Sequence, residues 1–450
     1  MAISTFMGLE TTLRGILAQQ LALDTTAHNI SNASTPGYSR QSAVMAASTA
    51  FAPPSMMTPA QAGEIGTGVD VIAYQRVRDS FLDLQYRGQS MVQGQAQATN
   101  DGLNNVQDAL NEPGDNGLSN LMQQYWSSWQ AVSNDPENMA SRQALAQSAA
   151  SLANGFNALS SQLTTIQGQT GQNVTATIQN VNQLGAQIAT LNNSIRQATV
   201  GGVQPNDLLD QRDNLLDQLS AMGNVSITNS TNGMVDVSIG GAALVTGTTS
   251  ATIAESDMTS LTSGKLSGLI QLRDTTIPGY QAQLDTVAST LISATNTQHA
   301  AGFDLNGNAG GAFFTGTNAS TIAVNPALIT NPGLIAASAD GTPGNANNAL
   351  ALAGIRNQTL IGSSSIDDAY SQLVTKIGAD TAQSNTTLSN ATALTTAINN
   401  QRQSVSGVSL DEEMTNLLTF QRGYQASSRA LSAMDDMIDQ LVNRTGRVGL

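Results

Sequence analysis

Residues 6–30 read FMGLETTLRGILAQQLALDTTAHNI, and residues 417–441 read LLTFQRGYQASSRALSAMDDMIDQL. In the first stretch Phe6, Leu9, Leu13, Ile16, Gln20, Leu23, Ala27 and Ile30 recur at steps of three and four. In the second, Leu417, Phe420, Tyr424, Ser427, Leu431, Met434, Ile438 and Leu441 do the same. On a helix that spacing draws one narrow seam, the line of a coiled coil, rather than a broad core face. A seam needs a partner helix. Two seams of equal length at opposite ends of one chain are expected to pair with each other or with neighbouring copies. Ordinary amphipathic packing inside one globule is the alternative that spacing alone leaves open.

Between the seams the pattern changes several times. The segment from Asn29 to Arg40, NISNASTPGYSR, ends the first helix. Pro36 pushes Thr35 out of the helical region, and Pro36-Gly37 suits the two centre positions of a type II turn. Residues 41–68 read as a loop, with Pro53, Pro54, Pro59 and the glycines Gly63, Gly66 and Gly68. Val69, Val71 and Ala73 alternate as a short strand. Helical spacing then runs from Arg76 to Asn111, from Leu118 to Val132 and from 137 to 200, slipping in phase near Gly168 and Gly171, and again from Asp207 to Met222.

From 223 to 263 the period is two, with Asn232-Gly233 as a hairpin signal. Helix returns over 264–300, with Pro278 opening its second part. Residues 302–346 are rich in Gly, Asn, Ala and Pro, with a short strand expected at 321–324. Helices resume at 347–360 and 365–404, and a bridge over 404–409 leads into the last helix. The expected fold is mainly α with a small β insert, an α+β multidomain chain. Its terminal helices pair as a coiled coil over 1–40 and 405–450. A long-helix bundle is built from 41–222, 264–301 and 347–404, and an outer β-rich domain from 223–263 and 302–346. A chain that goes out and returns in this way brings its termini together.

Composition narrows the function classes. The 450 residues are only 11% charged and 4% aromatic, with a net charge of −15. Lys265 and Lys376 are the only lysines, and no basic patch exists to neutralise phosphates, so nucleic acid is excluded as a partner. There are no cysteines, hence no disulfides and no thiolate metal sites. No run of about 18 apolar residues marks a membrane span. The opening MAISTFMGLETTLRG has neither the basic nor the apolar region of a cleaved secretory signal. The chain is therefore expected to stay in the cytoplasm or to leave by a route that reads no cleavable signal.

The catalytic inventory is nearly empty. His28 and His299 are the only histidines, and both read as structural. Asp304, Asn306 and Asn308 imitate the start of a calcium loop, but Ala309 and Thr315 stand where such a loop needs Gly and Glu, so a polar turn is the expectation. Asp207, Asp210 and Asp213 open a helix, where acidic residues complement the dipole. Trp126 and Trp129 read as bundle core. Lys265 follows Ser263-Gly264 without phosphate-loop spacing. No catalytic residue, cofactor or metal site is expected, which argues against an enzyme.

The segment Ala22–Gln41, ALDTTAHNISNASTPGYSRQ, closely resembles the N-terminal signature of the bacterial flagellar rod, hook and hook-associated proteins. Within that family its extension Gly37–Gln41 is similar to the members at the hook–filament junction. Further matching stretches are Gly66–Val69, Arg76–Asp79, Asp207–Asp213, Asn296–Asp304, Gly407–Glu413 and Gln421–Ala426. The β insert and residues 302–346 are short for the family, so its outermost domain is expected to be reduced.

The resemblance implies a structural adaptor between hook and filament, exported through the flagellar export apparatus without cleavage. Its partners would be further copies of itself, hook protein and the third hook-associated protein. A cytoplasmic export chaperone would cover its C-terminal helix. The assembly seam would be Phe6, Leu9, Leu13, Ile16, Leu23, Ile30, Leu417, Phe420, Tyr424, Leu431, Met434, Ile438 and Leu441, ordering on assembly. Asn29, Asn32, Pro36, Gly37, Tyr38 and Arg40 would form the turn that leads from axial core to outer wall. Another axial component, either hook protein or the third hook-associated protein, is the alternative. A secreted helical enzyme such as a muramidase is the other, although no paired-carboxylate cleft is evident.

Overall fold

A computed structural model describes residues 6–51, 65–114 and 117–443. In chain order its elements are α1 (Met7–Asn32), β1 (Gln41–Ala47), β2 (Val69–Arg76), α2 (Ser80–Leu110), α3 (Leu118–Asn134), α4 (Met139–Val200) and α5 (Asn206–Met222). Then come β3 (Val225–Asn229), β4 (Val235–Ile239), β5 (Ala242–Thr246), β6 (Thr249–Ser250), α6 (Lys265–Gln271) and α7 (Ile277–Ala300). The chain continues with β7 (Phe314–Thr315), β8 (Ala323–Val324), α8 (Pro326–Thr330), α9 (Asn347–Gly354), α10 (Ile366–Ser406) and α11 (Leu410–Asn443). The fold is mainly helical with small antiparallel sheets, as the sequence periods imply.

Contacts divide the chain into two compact units. The first comprises Met1–Ser90, Val181–Ser260 and Ala393–Leu450; the second comprises Met91–Asn180 and Leu261–Thr392.

In the first unit α1 packs on α11 and on the hairpin of β1 and β2. That hairpin corrects the reading of 41–68 as loop. Gln41–Ala47 pairs antiparallel with Val69–Arg76, and a bulge at Val44/Met45 breaks the register. β1 is poor in β-branched residues, and pairing with β2 rather than its own alternation makes it a strand. Arg76 ends β2, so the following helix starts four residues later than its spacing implies. Pro53, Pro54, Pro59 and Gly63 lie outside the described residues.

The β insert forms a four-stranded sheet in the order β3-β4-β5-β6. Its first turn uses Asn232 and Gly233, both at positive φ (55° and 76°), as the Asn-Gly signal requires. The sheet sits on the C-terminal part of α4. The Asn192 side chain donates to Val235 O and Gly247 O (both 2.7 Å), and Asn182 exchanges two bonds with Ile253 (3.0 and 2.9 Å).

In the second unit, the core gathers Tyr125, Trp126 and Trp129 from α3, Phe156 and Leu163 from α4, Leu284 and Leu291 from α7, and Phe313 and Phe314. Trp129 and Phe313 lie 5.2 Å apart by ring centroids, and Trp126 Nε1 donates to Asp367 (2.9 Å). The two tryptophans are core, as expected.

Helix α4 runs unbroken for 62 residues. The apparent slip at Gly168 and Gly171 arises because Thr170 and Thr177 occupy inward positions that apolar spacing skips. Their hydroxyls donate to the carbonyls of Ile166 (2.8 Å) and Asn173 (2.7 Å), so the buried polar groups are satisfied within the helix. The bridge over 404–409 is also shorter than expected. α10 extends to Ser406, and only Gly407–Ser409 separate it from α11.

Candidate assembly site

The helices α1 and α11 lie antiparallel. Met434 sits against Gly8, Ser427 against Gly15, Gly423 against Gln19, and Glu413 bonds to Asn29. The partner number falls one for one as the number along α1 rises, so the register is constant over the pair. Glycine lets the backbones approach here. A Cβ at Gly8 would meet Met434 Sδ at 2.9 Å, and one at Gly423 would meet Gln19 Cδ at 2.8 Å.

The expected seam residues divide between two surroundings. Leu9, Ile16, Leu23 and Ile30 on α1 are half-buried, as are Leu417, Phe420, Leu431, Met434 and Ile438 on α11. Phe6, Leu13, Tyr424 and Leu441 are exposed. The fully buried line on α1 is instead Ala18, Ala22, Thr26 and Asn29. Small and polar side chains hold it, so a search for apolar residues passes it by. A second apolar line, Leu13, Leu17 and Leu21, faces solvent, as do Leu410, Met414 and Leu418 on α11.

At one end the pair is fixed to the rest of the unit. The buried Asn29 side chain uses its full hydrogen-bonding capacity. Its Nδ2 donates to Gln41 O (2.8 Å) and Glu413 Oε2 (3.1 Å). Its Oδ1 accepts from Gln41 N (2.9 Å) and Tyr38 Oη (2.7 Å).

The turn has the expected form. Tyr38 N donates to Thr35 O (3.2 Å) around Pro36-Gly37, and Gly37 has φ 79°. Asn32 Oδ1 accepts from Thr35 Oγ1 (3.2 Å). Arg40 closes the base: its N–H donates to Ser406 O (2.9 Å), Nε to Glu413 (2.7 Å) and Nη1 to Glu412 (2.9 Å). Burial, with Asp207, Asp210 and Glu413 nearby, pushes the Tyr38 hydroxyl above its ordinary value, so it stays a donor.

The three aspartates of α5 do more than open a helix. The residue before α5 is Pro205, and no side chain caps it. Asp207 accepts from Gln41 Nε2 (2.7 Å) and lies 3.3 Å from His28 Nε2. Asp210 accepts from Ser39 N (2.8 Å) and Arg76 (2.8 Å). Asp213 meets Arg76 (2.9 Å), Arg78 (3.0 Å) and Arg87 (3.2 Å). Asp217 links Arg87 (2.7 Å) to Arg402 (2.5 Å), whose guanidinium lies 4.0 Å over the Tyr86 ring. Burial alone would raise the Asp213 carboxyl, but Arg78, Arg76 and Arg87 outweigh it and hold the group below the usual carboxylate range.

Spacing in the sequence does not pair these arginines with the α5 aspartates. The available signal was cation choice, since all but Lys265 and Lys376 of the 17 cations are Arg. A forked guanidinium is the cation suited to shared, buried carboxylates.

The other candidates are structural. His299 Nδ1 bonds Gly311 O (2.7 Å) and Nε2 accepts from Ala336 N (2.9 Å), so the ring is a neutral pin between loops. Asp304 accepts from the backbone of Asn306 and Asn308 (both 2.8 Å), closing its own turn. Among the described residues no group of three ligating side chains could hold a metal, and no helix is long and apolar enough to cross a membrane.

Comparison with known proteins follows the same layout. Residues 103–314 match the family model of the flagellar hook-associated protein FlgK helical domain. Residues 9–38 match that of the flagella basal body rod protein, and 391–444 that of the flagellar basal body rod FlgEFG protein C-terminal region. Flagellar hook-associated protein 1 of Bacillus subtilis is 32% identical over 98% of this chain and 99% of its own. The Escherichia coli protein of that name is 28% identical over 96% and 98%. The structure of the flagellar hook junction protein FlgK from Burkholderia pseudomallei superposes with a TM-score of 0.61 at 19% identity, covering 71% of this chain and all of that one.

Proposed function

The chain belongs to the flagellar hook-associated protein 1 family, a structural component of the bacterial flagellum at the hook–filament junction, and from that premise we propose how it acts there. It is an adaptor that polymerises through α1 and α11. The observation that carries this reading is the asymmetry of the helical pair. Its base is fixed by Asn29, Arg40 and Glu413, while its outer faces leave two lines of large apolar side chains in solvent. Such lines mark surfaces that another protein covers.

In this reading the pair is the axial core, the turn at Pro36-Gly37 leads outward, and the helical bundle forms the wall. Neighbouring copies, hook protein and the third hook-associated protein are its partners in the structure. Before assembly a cytoplasmic export chaperone covers α11, and the chain leaves through the flagellar export apparatus without a cleaved signal. The chain has no enzymatic role.

Deleting the gene tests the reading. Hooks should still form while filament subunits spill into the medium. Normal filaments on the deletion strain would overturn it.

A further inference from the structure

Met434 is seated at the free tip of the helical pair. On α11 it stands in line with the half-buried Leu431 and Ile438, on the face turned to α1. Its thioether fills the space that Gly8 leaves: Sδ and Cε stand 2.9 and 3.1 Å from the point a Cβ there would occupy. Thr12 Oγ1 lies 3.8 Å from the same sulfur and donates to Gly8 O at 2.8 Å on its own helix. The base anchored by Asn29 lies 21 residues further along α1, about 32 Å at 1.5 Å per residue. The chain has no cysteines, so thioethers are its only sulfur groups and the ones on which an oxidant acts.

We propose that Met434 is a peroxide-sensitive latch, whose oxidation to the sulfoxide releases the tips of α1 and α11 from each other. A sulfur lone pair attacks hydrogen peroxide and the O–O bond breaks. One oxygen stays on sulfur, and the other leaves with both protons as water. The product is polar and chiral, with its oxygen on the atom that packs against Gly8. The Gly8 side is already filled, and the Thr12 hydroxyl is bonded within its own helix. The new oxygen keeps its hydration only when the side chain swings out of the pair. Met414 and Met437, 50% and 57% exposed on the same helix, take up oxygen in solvent without disturbing a packed contact. The base stays closed, since Asn29, Arg40 and Glu413 hold it without sulfur. The effect of the latch on incorporation rests on the assembly role proposed above; the latch itself rests on the pair alone.

Purified full-length chain is treated with hydrogen peroxide, sulfoxides are located by peptide mass, and amide exchange is followed over 7–16 and 428–441. Treated wild type is expected to exchange about tenfold faster at both tips and at an unchanged rate over 26–32. M434L keeps an apolar side chain of similar volume and should resist the treatment, while M437L should open like wild type. Methionine sulfoxide reductase should restore slow exchange in the treated wild type, a readout that needs no variant. Sulfoxide at Met434 without faster exchange overturns the latch. So does equal sensitivity in M434L, or tips that exchange as an open chain before treatment. Met434 left unoxidised after Met414 and Met437 are fully converted overturns it as well. M434Q supplies polarity without the oxidant, and its recovery in flagella should fall about fivefold against M434L. Equal recovery with open tips removes the consequence for assembly alone. Wild-type chain absent from purified flagella defeats the assembly role and leaves the latch standing.

Discussion

Asn29 and Glu413, 384 residues apart in the chain, share a buried hydrogen bond of 3.1 Å. Asn29 also binds both backbone groups of Gln41, so one side chain ties the first helix, the last helix and the first strand together. Asn29→Ala strands the Gln41 N–H and weakens the hold on a buried carboxylate. A loss of about 2–3 kcal/mol is expected. Hydrogen exchange should show faster opening of both helices from their base. Unchanged protection of residues 20–32 and 410–420 would count against the anchoring role.

Gly37 sits at φ 79°, and a Cβ there would lie 3.1 Å from Asn214 Cβ. Gly37→Val combines backbone strain with that contact, at a cost of about 2 kcal/mol or more. The turn should shift and incorporation into flagella should drop. Full incorporation of the variant would remove the turn from the mechanism.

Leu431 is half-buried on α11, within the helical pair. Leu431→Asp places a charge where water is partly excluded. Copies recovered in flagella should fall roughly tenfold or more, equivalent to about 1.4 kcal/mol. Melting of the second unit should not change, because Leu431 lies in the first. Wild-type recovery would exclude the seam as an assembly surface.

Asp213 is shared by three arginines, and their charge keeps its carboxyl ionised below the usual range. Asp213→Asn leaves excess buried positive charge and should destabilise the first unit by about 3–5 kcal/mol at neutral pH. The carboxylate's contribution is present above its unfolded pKa of 3.8 and fades as pH falls below that value. The gap between variant and wild type should therefore narrow in acid. A constant gap from pH 7 to pH 3 would contradict this.

His299 titrates in the opposite sense. Burial pushes its imidazole below the ordinary 6.5, and the backbone bond to Gly311 only partly offsets this. Between 6.5 and the lowered value the unfolded chain binds the extra proton. Stability from the neutral ring is thus complete above about 6.5 and declines as pH drops. The second unit should melt earlier at pH 5 than at pH 7, and His299→Gln should flatten that difference. Equal slopes would show that the ring does not control it.

Periodicity made the long helices and both terminal seams legible, because a repeating apolar pattern is a local property of the chain. The hairpin of β1 was not, since Gln41–Ala47 becomes a strand only through its pairing with β2. Continuity of α4 was hidden by Thr170 and Thr177, which bury polar side chains at core positions. The α5 aspartates looked like helix-opening charges because their arginines come from positions 76, 78 and 87, more than 120 residues earlier. Seam spacing found the helices that pair but not the faces they present. Ala18, Ala22 and Thr26 pack because they are small, and that leaves Leu13, Leu17 and Leu21 outside.

The base of the helical pair also has a mechanical meaning. Both covalent strands enter it at the same end, beside the Arg40–Ser406 backbone bond, the Asn29–Gln41 pair and the Arg40–Glu413 bridge. A pull along the coil axis loads these bonds side by side, so they must yield together. Peeling one helix sideways from its free tip would break contacts one at a time. A load directed along the coil therefore meets the stiff direction of the pair, and separating the helices requires a sideways peel.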